Sequence, residues 1–158
     1  MPSVKLIYYT GMESDDPYYA ARLLAFTKNT RLNMTPDGFE KFASMSEEEL
    51  DQELDYMSKT IKTALEFADV TFLIRDVSRA TAQQITRTRN AVFQMQSQRV
   101  SSMADAKWDS MGSEQDEAMK AAIASYESLL ESGVSLEDAR DVLPICLHCN
   151  LVAKYTLR

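Results

Sequence analysis

Residues 70–99 read VTFLIRDVSRATAQQITRTRNAVFQMQSQR, and this stretch decides the fold class of the chain. Its first five residues are apolar or β-branched, which predicts a buried strand. Residues 79–89 consist mainly of alanine, glutamine, threonine and arginine, which predicts a helix without a wide apolar face. The residues after this helix fit an extended segment. A strand followed by an arginine-bearing helix indicates a mixed α/β or α+β domain with that helix at its centre.

Further elements are predicted on both sides of this stretch. Ser46 and Glu49 have the spacing of a capping box, and apolar residues continue at helical intervals through Ile61. Residues 145–155 are apolar enough for a helix or a strand, and the pattern does not decide between them. The remaining predictions are a strand over residues 4–9, helices over residues 18–27, 47–66 and 113–131, a loop at Asp37 and Gly38, and a short turn capped by Ser135 and ended by Pro144.

The charge of the chain is unevenly distributed. The total is −7, but residues 75–99 contain five arginines and one acid, Asp76, so this segment carries +4 and the remainder −11. Guanidinium groups are planar, forked donors that suit phosphates, and glutamine amides can hydrogen-bond to a polar ring. The segment therefore predicts a site for a phosphorylated ligand.

Length and composition exclude several classes of protein. With 158 residues, 45 % of them apolar and 26 % charged, the chain fits one soluble domain. An acidic balance argues against binding of a nucleic-acid polymer, and no apolar run is long enough to span a bilayer. Two cysteines and the lack of a signal-peptide pattern predict a cytoplasmic protein.

The predicted secondary structure brings the polar residues of the basic segment together. On a helix over residues 79–89, Gln83, Gln84, Arg87 and Thr88 share one side, because they are three to five residues apart. If the chain after it is extended, Ser97 and Arg99 point in the same direction. The two groups then converge on one anion. The alternative is a surface helix whose arginines pair with the acidic remainder of the chain.

The order of these residues resembles the signature of the flavin-dependent thymidylate synthases, the ThyX family. Its motif, R-H-R followed by seven residues and a serine, has the spacing of Arg87-Thr88-Arg89 and Ser97. Upstream, residues 77–80 read VSRA before Gln84, and downstream residues 139–144 read ARDVLP; both match blocks of the family in the same order. The opening VKLIYYT also fits. The resemblance covers nearly the whole chain.

The resemblance implies an enzyme that methylates C5 of dUMP to give dTMP. Methylenetetrahydrofolate is then the carbon source, and FAD reduced by NADPH donates the hydride. It also implies a ThyX-like fold, with a central sheet and flanking helices, and a homotetramer with active sites shared between subunits. Ser97, Arg99 and Arg140 are expected to be the catalytic group, with Ser97 as a ligand donor and not a nucleophile. The implied substrate-binding residues are Gln84, Arg87, Ser97, Gln98, Arg99 and Arg140, and the implied cofactor-binding residues are Arg79, Arg87, Thr88, Arg89 and Arg158.

The chain departs from the family pattern at three places. Thr88 replaces the central histidine of R-H-R, and Phe67 replaces the histidine of an upstream E-H-x-x-F block. Thr88 can donate one hydrogen bond, whereas Phe67 cannot. The sequence stops at Arg158, where the family continues into a helical segment. We therefore expect residues 1–158 to be a single ThyX-like catalytic domain that lacks this segment. We also expect the chain to be a fragment. Two alternatives follow: a non-catalytic protein that binds uridine nucleotides, or a flavin-dependent methylase of another pyrimidine nucleotide such as UMP.

Cys146, His148 and Cys149 form a C-L-H-C sequence near the end of the chain. Structural zinc sites use four protein ligands, and no second pair of this kind accompanies it. No metal site is therefore predicted, and the two thiols are expected to be packed in an apolar element.

Overall fold

The structure, a computed structural model, describes residues 1–28, 30, 38–60 and 62–158. It contains a four-stranded sheet. Its four strands are antiparallel and follow the spatial order β1-β2-β4-β3. The mixed α/β fold class predicted from the sequence is confirmed. The strands are β1 (Ser3–Tyr9), β2 (Asp69–Ser78), β3 (Ala91–Met95) and β4 (His148–Thr156).

Helices precede and follow the strands along the chain. The α-helices are α1 (Tyr19–Lys28), α2 (Gly38–Ala43), α3 (Glu47–Thr60), α4 (Arg79–Ile85), α5 (Ser113–Glu131) and α6 (Leu136–Ala139). Short 3₁₀ helices cover Lys62–Phe67 and Arg140–Val142. The second of these continues α6, so Arg140 lies at the junction of two helical turns.

The chain divides into two compact units. The first consists of Met1–Lys5, Leu73–Arg89 and Phe93–Ala153. Its core includes Tyr126, Met103 and Ala139, all buried. The Tyr126 hydroxyl accepts a hydrogen bond from the Met103 backbone N–H at 3.3 Å, which attaches the loop before α5 to that helix.

The second unit consists of Leu6–Phe72, Asn90–Val92 and Lys154–Arg158. Two apolar clusters hold its helices together: Leu24 with Met57, and Ala25 with Phe42 and Leu50. Because Leu24 and Ala25 are neighbours in sequence, helix α1 contributes to both clusters.

The capping box predicted before α3 is confirmed. The Glu49 carboxylate accepts from the Ser46 backbone N–H at 2.8 Å, and the Ser46 hydroxyl accepts from the Glu49 N–H at 3.3 Å. The predicted helix over residues 47–66 is α-helical only to Thr60, after which the 3₁₀ turn follows. Ile61 and Asp37 lie outside the described residues. The loop predicted at Gly38 is wrong, because Gly38 is the first residue of α2.

Two predicted elements in the arginine-rich segment are wrong in their extent. Helix α4 ends at Ile85, with Thr86 as its C-cap, so Arg87 and Thr88 do not share a helix side with Gln84. Strand β3 ends at Met95, and residues 98–100 form a turn, so Ser97 and Arg99 are not alternate residues of an extended strand. The undecided residues 145–155 contribute to strand β4.

Candidate functional site

Helix α4 and the turn after it present the first group of predicted site residues. Ser78 is the N-cap of α4, and its hydroxyl accepts a hydrogen bond from the Thr81 N–H at 3.1 Å. Gln84 is exposed on the helix, and Arg87, Thr88 and Arg89 are exposed in the turn. Among the described residues, none makes a side-chain hydrogen bond or ion pair with these four side chains. Their polar groups are therefore available to a ligand or to another subunit.

The turn after β3 orients the second group. The Ser97 hydroxyl accepts a hydrogen bond from the Arg99 backbone N–H at 3.1 Å, which closes a local turn. Gln98, between them, is buried, with only 7 % of its surface exposed. Its Nε2 atom has no partner in the part of the chain that the structure describes. A buried donor without an acceptor is costly, which makes Gln98 a candidate for a ligand contact.

Arg99 and Arg140 are brought together by a carboxylate. Arg99 binds Glu137 through two nitrogen–oxygen pairs, Nε to Oε1 at 2.7 Å and Nη2 to Oε2 at 2.9 Å. Arg140 Nη2 lies 4.0 Å from the same Oε1 atom. Ser135 holds this segment in place, because its hydroxyl accepts from the Asp138 N–H at 3.2 Å and caps α6. The structure therefore assembles two of the three residues expected to form the catalytic group.

Arg79 and Cys149 form a buried part of the same unit. Burial raises the pKa of the Cys149 thiol, and the positive charge of Arg79 partly opposes this rise. The Nη1 atom of Arg79 is buried and, within the described ranges, lacks a hydrogen-bond partner. A thiol with a raised pKa is protonated at neutral pH, so Cys149 is not an activated nucleophile. This agrees with the predicted packing role of the cysteines.

A cavity of about 240 Å³ in the first unit is lined by residues outside the predicted binding and catalytic sets, among them Asp76, His148 and Asn150. Asp76 adopts a left-handed backbone with φ of 56°, and its N–H donates to Asn150 Oδ1 at 3.0 Å. Asn150 Nδ2 in turn donates to Gln96 Oε1 at 3.2 Å, and His148 Nε2 lies 3.3 Å from Asp109 Oδ2. The only available signal was the polar residue Asn150 within an otherwise apolar run, which did not distinguish a helix from a strand.

The residues expected on the flavin side include cationic groups that an anionic dinucleotide would require. Arg87 and Arg89 form no ion pair with a described carboxylate, and Arg79 carries an unpartnered buried donor, so these cationic groups fit such a cofactor. Arg158 lies in the second unit and donates to Glu66. Phe67 is 60 % exposed, which leaves an aromatic surface where the family pattern has a histidine.

In the described part of the chain, no three or more histidine, cysteine, aspartate or glutamate side chains are grouped so that they could hold a metal ion. None of the described helices combines the length and apolar character required to cross a membrane.

The protein has a mixed α/β fold, and its described residues bring Arg99 and Arg140 to one carboxylate. The fold is shared with the crystal structure of a UMP/dUMP methylase, PolB from Streptomyces cacaoi, bound with 5-Br dUMP; the TM-score is 0.71 and the identity 18 %, over 99 % of this chain and 74 % of that one. The chain belongs to the Thy1 family, described as "Thymidylate synthase complementing protein", whose sequence model matches residues 5–158. The ThyX resemblance is confirmed, and the family is one of enzymes.

Curated relatives give the same family. A flavin-dependent thymidylate synthase from Saccharolobus solfataricus is 30 % identical, with 100 % of this chain and 62 % of the relative covered. One from Geobacter sulfurreducens is 32 % identical, with 65 % of this chain and 49 % of the relative covered. The chain thus spans about three fifths of the first relative's length.

Proposed function

We propose that this protein is a flavin-dependent thymidylate synthase that methylates C5 of dUMP to dTMP in the cytoplasm. The observation that carries the proposal is the convergence of Arg99 and Arg140 on one carboxylate. Both arginines belong to the blocks that match the family. Further support comes from the curated relatives named as such synthases and from the shared fold with a UMP/dUMP methylase.

The residues suit a reaction in which the uracil ring becomes nucleophilic. C5 of uracil attacks a carbon donor when negative charge on the ring oxygens is stabilised, and positively charged or amide donors provide that stabilisation. Arg99 and Arg140 supply positive charge for the phosphate of the nucleotide, and Ser97 and the unpartnered Gln98 amide supply neutral donors for its ring. These groups bind and polarise the nucleotide, and no covalent bond to the enzyme is required.

The proposed cofactor is FAD, reduced by NADPH, and methylenetetrahydrofolate is the proposed carbon donor. When bound, the flavin supplies the hydride, and the protein positions the reactants. We assign Arg79, Arg87, Thr88, Arg89 and Arg158 to the flavin side. Exposed arginines without a described carboxylate partner suit a site completed by a neighbouring subunit, as expected for a homotetramer.

An absorption spectrum and a turnover assay test the proposal. The purified chain is expected to bind added FAD, with flavin bands near their usual visible wavelengths, and to convert dUMP to dTMP when NADPH and methylenetetrahydrofolate are present. A protein that binds neither FAD nor dUMP would refute it. Omitting each co-substrate in turn is the control, because each omission should abolish dTMP formation.

The second candidate is a protein that binds a uridine nucleotide without turning it over. It is favoured by the exposed Phe67, which has no hydrogen-bonding group in place of a histidine, and by Thr88, which offers one hydroxyl in place of an imidazole. This candidate predicts dUMP binding without flavin binding. Titration of FAD into Phe67→His and Thr88→His separates the two: a gain in flavin affinity supports lost cofactor binding, whereas FAD binding by the unaltered chain contradicts it. The same assays with UMP test the ribonucleotide alternative.

A further inference from the structure

The Glu137 carboxylate lies between two arginines that the proposed function assigns to the nucleotide. Its two carboxylate oxygens bind the forked nitrogens of Arg99 at 2.7 and 2.9 Å. One of these oxygens also lies 4.0 Å from Arg140. All three residues belong to the same compact unit. The carboxylate is therefore an intramolecular anion in an arginine site.

Without Glu137, two like charges would remain close together. Guanidinium groups stay protonated at any physiological pH, so they repel each other unless an anion lies between them. The capped turn that begins at Ser135 holds Glu137 in that position. The carboxylate thus offsets the repulsion and keeps both forks oriented toward one point.

A phosphate monoester is a stronger ligand for the same groups. It carries a charge of about −1.5 to −2 at pH 7 and three acceptor oxygens, whereas the carboxylate carries one charge and two oxygens. The ion pair is also accessible to solvent, because the side chains of Arg99 and Glu137 are 59 % and 47 % exposed. Exposed pairs of this kind are weak, so a dianion can replace the carboxylate at small cost.

We propose that Glu137 is a positioning residue that keeps Arg99 and Arg140 together in the unliganded protein and yields its place to the phosphate of the nucleotide. This inference rests on the proposed function, since it concerns the same nucleotide site. It adds a source of specificity: a nucleoside without a phosphate gains nothing from the two arginines, because Glu137 still occupies them.

The test compares the unaltered full chain with Glu137→Gln by titration calorimetry at pH 7.5. Glutamine keeps one acceptor oxygen but removes the competing charge. We expect dUMP and inorganic phosphate to bind about two- to fivefold more tightly, the factor that loss of a weak exposed ion pair allows. Deoxyuridine affinity should not change. Glu127→Gln, which removes an exposed charge on α5, is the matched control and should alter none of the three affinities.

A double-variant comparison separates competition from a purely structural role. With Arg99→Gln, phosphate affinity should fall, and adding Glu137→Gln should no longer produce the gain, because the carboxylate has lost its main partner. If Glu137→Gln weakens phosphate and dUMP binding, or changes the affinities for dUMP and deoxyuridine equally, the inference is overturned. If the unaltered chain ignores dUMP, the proposed function fails, while the phosphate titrations still decide the role of Glu137.

Discussion

Arg99 and Glu137 are 38 residues apart in sequence, yet two short contacts join them. No local pattern predicts such a pair, because helical and strand periodicities relate residues only a few positions apart. Glu137 has the sequence context of a first-turn acid after the Ser135 cap, which is sufficient local reason for its presence. The motif thus predicted the arginines, but the carboxylate that orients them is determined by tertiary structure.

The buried hydrogen bond between Tyr126 and Met103 can be tested by removing one hydroxyl group. The residue is fully buried, and its hydroxyl accepts the Met103 backbone N–H. Tyr126→Phe leaves that N–H without an acceptor, so the free energy of unfolding should fall by about 1–2 kcal/mol. Denaturant unfolding measures the change.

Tyr56→Phe is the control for this substitution, because Tyr56 is exposed and the ring under Lys28 is retained. It should leave the unfolding free energy nearly unchanged. Equal stability of Tyr126→Phe and the unaltered protein would show that the Met103 N–H finds another acceptor.

The end of helix α4 shows why element boundaries were predicted less well than elements. Residues 79–85 are helical as expected, but Thr86 and Thr88 are β-branched and lose side-chain freedom in a helix. Asn90 then adopts a left-handed backbone with φ of 60°, which starts a different segment. Arg87 and Arg89 therefore lie in a turn, a difference that residue composition alone does not resolve.

Strand β4 illustrates a second limit of sequence reasoning. Its residues form a short apolar run that suits either a buried helix or a buried strand. In the sheet it lies between β2 and β3, so its conformation is settled by long-range pairing. Helices α3 and α5, by contrast, were predicted because each has an apolar periodicity and a recognisable end, such as Gly133 with φ of 85° after α5.

The single turn of α6 permits a prediction that links stability to binding. Ser135→Ala removes the cap acceptor for the Asp138 N–H, so the unfolding free energy should fall by about 0.5–2 kcal/mol. Because Glu137 and Arg140 lie on or next to this turn, phosphate affinity should also change. Thermal unfolding and phosphate titration measure the two effects.

Ser113→Ala is the matched substitution at the start of α5, where the N-cap is Gly112 and no side chain caps the helix. Neither stability nor phosphate binding should change there. If Ser135→Ala lowers the stability but leaves the phosphate affinity unaltered, the α6 cap does not influence phosphate binding.

Asp116 makes the segment before α5 sensitive to acid. Its carboxylate accepts from Trp108 Nε1 at 2.7 Å and from the Ser110 hydroxyl at 2.8 Å, and these hydrogen bonds, that of Trp108 first, lower the pKa of Asp116. A lowered folded-state pKa means that the stabilisation is present above the ordinary value of 3.8 and is lost as the pH falls through the folded-state value.

Asp116→Asn should therefore destabilise the protein at pH 7 and have little effect in strong acid. Unfolding midpoints at the two pH values measure this, and the chain's single tryptophan should show a red-shifted emission if its contact loosens. The control is Asp105→Asn, because Asp105 is an exposed aspartate in the segment before α5. Asp138 is not used as a control, because it contacts the α6 cap. A constant difference at all pH values would contradict the assigned role of the charge.

The whole molecule combines a confirmed fold class with a site whose complete form stays a prediction. The charge of +4 in residues 75–99 is local, while the remaining −11 disfavours nonspecific anion binding elsewhere. One chain presents Arg99 and Arg140 together but leaves Arg87 and Arg89 without described carboxylate partners. The prediction of a single catalytic domain with sites shared between subunits accounts for this division.

Strand β1 is where assembly of the whole molecule can be tested. It is an edge strand, and its apolar residues are exposed: Val4 at 67 %, Leu6 at 45 % and Ile7 at 42 %. Edge strands with exposed apolar side chains tend to associate, so we expect another copy of the chain to cover β1 in the proposed homotetramer.

Val4→Lys with Leu6→Lys should therefore lower the molar mass measured by light scattering after gel filtration. Gln52→Lys with Ser58→Lys adds the same charges to exposed positions of α3 and should preserve the mass. A monomeric unaltered protein, or a β1 variant of unchanged mass, would contradict this role, because an apolar interface does not tolerate two unpaired lysines at its centre.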